Sequence, residues 1–270
     1  MTIVSAFLVP GNPLPMLRPD NEPWAPIVAG YKTAAESLSA SRPDVILAYS
    51  TQWLAVLDQL WQTRPRLTGL HVDENWYEYG DLEFDIAIDT PLAQACVRAA
   101  GDIGVKSKEV DYDGFPIDTG TIVMSKFFAP SAELPFVLAA NNLYHDWELT
   151  AKLGAVAART ASQQGKRVAI VGVGGLSGSI FRSEINIKAD RIATENDDAW
   201  NRRLLDTLES GNMNAVKTMI PDYVGAAKPD MGLKHLAWVL GACEGKISGA
   251  DVLAYGPVYG SGAAVVEFTL

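Results

Sequence analysis

The sequence is poor in the residues that build disulfide frameworks and metal sites. Its 270 residues include three histidines and two cysteines, Cys96 and Cys243. Two thiols are too few for a disulfide framework or a four-cysteine zinc site. Both cysteines fall in segments with helical periodicity, so we expect them to be small buried apolar residues that serve packing.

Positive charge is scarce as well. The 22 lysines and arginines are outnumbered by 32 aspartates and glutamates, which gives a formal net charge of −10. Nucleic acids and anionic membrane surfaces are bound through basic patches, so this balance argues against both as partners.

Long hydrophobic runs are missing too. No stretch reaches the roughly 18 apolar residues of a membrane-spanning helix. The opening residues, MTIVSAFLVPGN, lack the basic start of a signal peptide. We therefore expect a cytoplasmic protein. The sequence also contains no linker, low-complexity tract or internal repeat, which predicts a single α/β domain over residues 1–270.

Strand-like apolar runs alternate with helical segments along the chain. The pattern predicts strands at 3–9, 44–49, 136–140, 167–171, 251–255 and 263–268, and helices at 24–39, 54–61, 91–100, 147–162, 199–209 and 233–242. Apolar strands interleaved with helices predict a mixed, mainly parallel central sheet with helices on both faces. The crevice of such a sheet lies beyond the carboxyl ends of its strands, so the loops after Val9, Tyr49 and Val171 are the candidate site.

The loop after Val171 is rich in glycine, and residues 168–181 read VAIVGVGGLSGSIF. A dinucleotide-binding loop needs glycine at the sixth position of GxGxxG, but counting from Gly172 this position is Ser177. The phosphate-binding motif GxxxxGK[ST] does not occur in the chain. Two interpretations remain: a turn where the strand leaves the sheet, or an active-site loop that has lost its chemistry.

The three histidines offer no obvious metal site. His71 stands in the acidic segment LHVDENWYEY, which is either a site for a hard cation or a solvated loop. His145 would titrate near neutral pH but has no evident partner in the sequence. His235 falls in an apolar helical segment beside Trp238, which favours packing.

Nucleophilic catalysis finds no support either. Ser50 follows a strand without a placed histidine, and Ser177 lacks the spacing of a GxSxG elbow. Asp118 in DTGT either caps the helix that follows or orients a ligand. From these residues alone, the chain is an α/β protein without a catalytic constellation.

Six stretches, taken in order, resemble the class III extradiol ring-cleaving dioxygenases. They are FLVPGNPLP, RPDVILAYSTQW, LPFVLAANN, GKRVAIVGVGGLSGSIF, AWNRRLLDTLESGN and YGPVYGSGAAVVEF. Their order and spacing match the family over nearly the whole chain. Catalytic members of the family hold one iron(II) with two histidines and a glutamate, which leaves open positions for the aromatic substrate and O₂.

The resemblance places residues without suitable donor atoms at the family's active-site positions. Gly11 and Gln52 stand where the two histidine ligands would be, and Ala199 stands where the glutamate would be. Gly178 takes the place of a further histidine, the acid–base residue. Glycine and alanine offer no donor atom, and an amide oxygen is a poor substitute for imidazole on iron. The resemblance thus implies a chain with no catalytic residues and no metal or cofactor of its own.

The resemblance further implies a non-catalytic alpha subunit. Its partner would be a homologous beta subunit that carries the Fe(II), in an α₂β₂ heterotetramer. Trp76 and Tyr77 are either contacts with this partner, since aromatic residues are enriched at interfaces, or core residues. Two alternatives remain open: a stand-alone metalloenzyme with displaced ligands that uses His71 or His145, and a protein that binds a small aromatic molecule in the vacated pocket.

Overall fold

The computed structural model describes residues 2–178 and 184–270. Within these residues the strands are β1 Thr2–Val9, β2 Val45–Ala55, β3 Gln59–Gln62, β4 Arg66–His71, β5 Leu82–Ala87, β6 Ser107–Val110, β7 Phe136–Asn142, β8 Arg167–Val173, β9 Gly249–Val258 and β10 Ser261–Thr269. The helices are α1 Leu14–Leu17, α2 Ala25–Ser41, α3 Thr90–Asp102, α4 Thr119–Phe128, α5 Trp147–Gln163, α6 Glu195–Glu209, α7 Met213–Ala227 and α8 Lys234–Cys243.

The central sheet is mixed and mainly parallel, as the sequence predicts. Its strand order is β6-β3-β7-β2-β8-β1-β10-β9, while β4 and β5 form a separate hairpin. Strand β8 pairs in parallel with both β1 and β2, and β10 pairs antiparallel with β1 and with the edge strand β9. Val173 is opposite Val9 on one side and Ser50 on the other. The three loops predicted to form the crevice therefore start from the same end of the sheet, beyond the carboxyl ends of the paired strands.

Helices cover both faces of the sheet. The ring of Tyr49 stacks on Trp238 of α8, with their centroids 5.6 Å apart. The next residue, Ser50, donates a hydrogen bond to Asp118 at the start of α4. Because successive side chains of a strand point to opposite faces, α8 and α4 lie on opposite sides of β2. Helix α2 packs against α4, and α5 packs against α8.

The helix predicted at 54–61 is wrong. Strand β2 continues to Ala55, and β3 begins at Gln59 after a short turn. A short apolar run is compatible with a buried strand as well as with a helix. Here pairing with β7 favours the strand, since Leu54 is opposite Asn141 and Trp61 is opposite Ala139. Strands β4 and β5 were not predicted, and His71 ends β4 rather than lying in a loop.

The buried thiols are as expected. Cys96 lies in α3 and Cys243 in α8, and both are fully buried and free. Burial raises the pKa of the Cys96 thiol to about 12, and it raises the pKa of Cys243 to about 12 as well. No helix in the described ranges is long and apolar enough to cross a membrane.

Candidate functional site

A cavity of about 430 Å³ opens beyond the carboxyl ends of the central strands β1, β2 and β8. Asn12 from the loop after β1 and Thr51 from the second half of β2 line it. Carboxylates dominate its polar wall, since Asp73, Asp118 and Asp230 all face it. Because like charges repel, this wall is unfavourable for a small anion.

The structure brings Gly11 and Gln52 together beside this cavity. A Cβ atom on Gly11 would stand 3.0 Å from the Gln52 Nε2 atom and 3.1 Å from a methyl group of Val173. The Gln52 Oε1 atom accepts a hydrogen bond from the backbone N–H of Gly120 at 2.8 Å. The glutamine side chain is therefore tied to the first turn of α4, and it fills the space beside Gly11.

Asp118 fixes the start of α4, which confirms the capping prediction. Its Oδ1 atom accepts hydrogen bonds from the Thr121 backbone N–H at 2.9 Å and from the Ser50 hydroxyl at 2.6 Å. Gly120 sits in the same turn, where a Cβ atom would come within 2.9 Å of the Ser50 oxygen. Contacts below 3.0 Å require a neighbour to shift, so this turn needs a glycine. Sequence reasoning missed Gly120, although the TGT triplet after a capping aspartate is a visible signal.

His71, Thr119 and Asp73 form a short chain of hydrogen bonds on the cavity wall. The Thr119 hydroxyl donates to Asp73 at 2.5 Å, and His71 Nε2 lies 2.9 Å from the same hydroxyl. Since the hydroxyl proton points to the carboxylate, the histidine donates and cannot deprotonate the threonine. Asp73 is buried and also accepts from the backbone N–H of Asn75. In this segment His71 and Asp73 thus form part of the cavity wall, while Tyr77 and Glu78 are exposed to solvent as expected for an acidic surface segment.

The glycine-rich loop closes onto Asp230. The Asp230 Oδ2 atom accepts from the Gly175 backbone N–H at 2.8 Å, and the Thr51 hydroxyl lies 3.5 Å away. Burial raises the pKa of the Asp230 carboxyl above its usual range. A Cβ atom on Gly178 would stand 3.9 Å from this carboxyl. Gly178 therefore lies close to the Asp230 carboxyl group, which contacts both Gly175 after β8 and Thr51 of β2. Sequence reasoning missed Asp230, and its only signal is a Pro-Asp-Met-Gly turn before a helix.

The structure does not bring Ala199 to this cluster. Ala199 is exposed on α6 and lines a different cavity of about 600 Å³, together with Asp198, Arg202 and Tyr255. The two cavities share no lining residue. Helix α6 packs on β9, at the far edge of the sheet. The ligands of a single iron ion must all lie around that ion. The place of Ala199 in a ligand set remains a prediction of the resemblance alone.

The remaining histidines, His145 and His235, do not line the 430 Å³ cavity. His145 follows β7, and burial together with the nearby Lys234 cation lowers its pKa. His235 is fully buried on α8 against Gly174, where burial lowers its pKa to about 3. Neither ring nitrogen of His235 has a hydrogen-bond partner in the described part of the chain. The packing role predicted for His235 agrees with this burial.

The donor set does not fit a resident iron ion. Across residues 2–178 and 184–270, no three histidine, cysteine, aspartate or glutamate side chains are grouped so that they could hold a metal. At the predicted ligand positions, Gly11 has no side chain and the Gln52 carbonyl oxygen is already bonded to Gly120.

The comparisons with known proteins agree with this fold. A family described as the catalytic LigB subunit of aromatic ring-opening dioxygenase matches residues 11–266. The chain belongs to this family. The resemblance of the six sequence stretches to extradiol ring-cleaving dioxygenases is therefore confirmed.

Two curated relatives match over all or nearly all of their length. The chain is 49% identical over 271 residues to the 2-aminophenol 1,6-dioxygenase alpha subunit from a Pseudomonas species, and the alignment covers 100% of both chains. It is 26% identical over 287 residues to the 2-aminophenol 1,6-dioxygenase beta subunit from a Pseudomonas species, covering 99% of this chain and 94% of that one.

A solved structure shares the fold. An uncharacterized protein from Escherichia coli K12 superimposes with a TM-score of 0.70 at 14% identity, and the match covers 98% of this chain and 100% of the other. At this identity the likeness concerns the fold alone.

Proposed function

We propose that this chain is the non-catalytic alpha subunit of a 2-aminophenol 1,6-dioxygenase. The complex would open the ring of 2-aminophenol with O₂ to give 2-aminomuconate 6-semialdehyde, at an Fe(II) ion held by the beta subunit. The identity of 49% over the full length of an alpha subunit supports this assignment. The weaker match to a beta subunit supports a duplicated pair in which the two chains share a fold.

The single observation that carries the non-catalytic role is the packing around Gln52. Its amide oxygen is bonded to the backbone of Gly120, and its amide nitrogen fills the space beside Gly11. A metal ion in this space would have to displace a side chain whose amide oxygen is already hydrogen-bonded to the backbone of Gly120. The carboxylate-rich wall next to it, which includes Asp73 and Asp230, also disfavours an aminophenolate anion.

The role of the chain is then to stabilise or shape its catalytic partner, in an assembly that we expect to be α₂β₂. A chain that binds only the folded partner stabilises it by mass action. The gain grows with the concentration of the alpha subunit relative to the dissociation constant.

The 430 Å³ cavity favours a second candidate function, the binding of a small aromatic molecule without turnover. Trp76 lines the cavity and offers an aromatic face. Calorimetric titration of the isolated chain with 2-aminophenol separates the two roles, since a scaffold subunit shows no saturable heat. A stand-alone metalloenzyme has less support, because no three histidine, cysteine, aspartate or glutamate side chains in residues 2–178 and 184–270 are grouped so that they could hold a metal.

Co-purification tests the proposed function. The tagged chain is expressed alone and together with a catalytic beta subunit, and the iron content and ring cleavage of each sample are measured. We expect iron and turnover only in samples that contain the beta subunit, with higher activity or longer half-life in the complex. Iron-dependent ring cleavage by the chain alone would refute the proposal.

A further inference from the structure

The 430 Å³ cavity carries negative charge that no cation of the described chain balances. Four carboxylates line it, those of Asp73, Glu74, Asp118 and Asp230. Among the described residues, no lysine or arginine lines the cavity, and none of the four carboxylates forms an ion pair. His71 also lines it, but its Nε2 atom faces the Thr119 hydroxyl. Carboxylates that are removed from water are normally paired or hydrogen-bonded, so the partners of each one need to be identified.

Asp230 is the carboxylate with an oxygen to spare. Asp73 and Asp118 accept backbone N–H and hydroxyl donors on both of their oxygens, so they supply charge but little further bonding capacity. The Asp230 Oδ2 atom accepts from the Gly175 backbone N–H. Its Oδ1 atom accepts no hydrogen bond from any residue that the structure describes. A ligand that donates a hydrogen bond would find its acceptor here.

The backbone holds Asp230 firmly at the crevice. Its N–H donates to the Gly175 carbonyl at 3.3 Å, so the backbones and side chain of these two residues are joined by two hydrogen bonds. The next three residues, Met231, Gly232 and Leu233, all have left-handed conformations, with φ of 45°, 67° and 62°. This conformation is costly for residues other than glycine, and here the fully buried Leu233 anchors it. Costly backbone of this kind is concentrated at binding sites.

Trp76 gives the cavity an aromatic face in a fixed position. The ring centroid of Trp76 lies 4.7 Å from that of Tyr259 in an edge-on contact, and 6.3 Å from that of Tyr79. The Trp76 backbone N–H donates to Asp73 at 3.2 Å. The face of an indole ring attracts cations and also packs against apolar groups. Because the ring is already held in place, little conformational freedom is lost when a ligand binds.

We infer that this cavity binds a small organic cation, in which an ammonium group is attached to an aromatic or other apolar body. The inference rests on the second candidate function proposed above, binding without turnover, and it names the class of molecule. The ammonium group would donate to Asp230 Oδ1, and the body would lie against Trp76. A divalent metal ion fits less well, because it needs several free oxygen ligands, while Asp73 and Asp118 already use theirs.

Three probes of similar shape and different charge test this inference. Benzylamine is protonated near neutral pH, benzyl alcohol is uncharged and benzoate is an anion. Each is titrated calorimetrically into the full-length chain at pH 7 and low ionic strength, as is 2-aminophenol, an aniline that is uncharged at this pH. MgCl₂ is titrated in the same way, alone and in the presence of benzylamine.

Two variants and a matched control locate the binding. Asp230→Asn removes the charge but keeps an oxygen that can accept from Gly175, and Trp76→Leu removes the aromatic face. Glu195→Gln is the control, because it changes the net charge as Asp230→Asn does, while Glu195 is exposed and lines the other cavity. Urea unfolding shows that each variant is folded before it is titrated.

We expect benzylamine to bind at one site per chain and at least tenfold more tightly than benzyl alcohol, with no saturable heat from benzoate. Asp230→Asn and Trp76→Leu should each weaken the binding of benzylamine at least tenfold, and Glu195→Gln should leave it unchanged. Equal affinity for the amine and the alcohol would overturn the inference, and this comparison needs only the unaltered chain. So would equal effects of Asp230→Asn and Glu195→Gln, or stoichiometric binding of Mg²⁺ that abolishes the binding of benzylamine.

The outcome is distinguishable from a failure of the functions proposed above. Saturable binding of 2-aminophenol without any preference for benzylamine would overturn the inference and leave the second candidate function standing. The role as an alpha subunit is tested separately by co-purification with the beta subunit, and none of these titrations changes that result.

Discussion

The Oε1 atom of Gln52 lies 2.8 Å from the backbone nitrogen of Gly120 and accepts its hydrogen bond. This contact ties the end of β2 to the first turn of α4. The same turn is held by Asp118, which bonds both Ser50 and Thr121. The residue that the resemblance assigns to a metal-ligand position, Gln52, therefore stabilises the start of a helix.

The isolated chain should hold no stoichiometric iron. The reason is the donor set, in which Gly11 has no side chain and the oxygen of Gln52 is bonded to Gly120. Elemental analysis of the folded chain, purified without a beta subunit and reconstituted with Fe(II) under anaerobic conditions, measures this. About one tightly held iron per chain would contradict the prediction.

Gly120→Ala should destabilise the chain by about 1–3 kcal/mol, which is the usual cost of overpacking. Its Cβ atom would approach the Ser50 oxygen to 2.9 Å and the Gln52 oxygen to 3.2 Å. Gly101→Ala in α3 is the control, because nothing lies within 4 Å of a Cβ atom there. The control should match or slightly exceed the stability of the unaltered chain, since alanine favours helix. Urea unfolding of both variants measures the change in stability. If Gly120→Ala were as stable as the unaltered chain, the turn would have room for a Cβ atom, contrary to the prediction.

Restoring ligand types should not restore the reaction. In the triple variant Gly11→His, Gln52→His and Ala199→Glu, the first two side chains would have to fit where a single Cβ atom already comes within 3.0 Å of Gly120. The glutamate would stand on α6, facing the other cavity. Ligands without a supporting shell bind metal weakly. We expect lower stability, weak iron binding and no cleavage of 2-aminophenol by the variant alone. Turnover close to that of the complex would show that the site is still preorganised.

The stability of the chain should fall as the pH drops below about 6.5, and His235 should contribute to this fall. Burial lowers the pKa of His235 from 6.5 to about 3 in the folded protein. The unfolded chain therefore takes up a proton first, and stability is lost progressively between these two values, by on the order of 5 kcal/mol at most.

Asp230 acts in the opposite direction, because its pKa is raised and its charged form is the costly one. The contribution of the histidine is isolated by comparing the unaltered chain with His235→Leu. Unfolding is measured between pH 4 and pH 7.5, and the variant should show the flatter profile. Identical profiles would contradict the prediction, because they would show that the pKa of His235 is the same in the folded and the unfolded chain.

Much of the fold follows from local sequence pattern. The central strands β1, β2, β7 and β8 are apolar on both faces, so they stand out as continuous runs. Helix α7 was missed because Pro221 lies inside it, although the buried positions Val216, Ile220 and Tyr223 keep helical spacing. The turn after β2 was misjudged because pairing with β7, a distant segment, decides its conformation.

The site was harder to predict than the fold. The order of the strands brings Gly11 and Gln52 together at the same end of the sheet, and the resemblance points to both residues. The local sequence does not show that Ala199 lines a different cavity or that Asp230 lines the crevice. Both positions depend on how α6 and α8 pack against the rest of the fold. The partners of Thr119 and Gly120 likewise come from segments far away along the chain.

The burial of Cys96 and Cys243 has a practical consequence. Both thiols remain protonated far above neutral pH and are out of reach of solvent, so the folded chain should be inert to maleimides and other thiol-directed labels. A fluorophore could therefore be attached at one chosen surface position, such as Leu57→Cys, without first removing the native cysteines. Its emission would then report, in solution and in real time, when that part of the surface becomes covered.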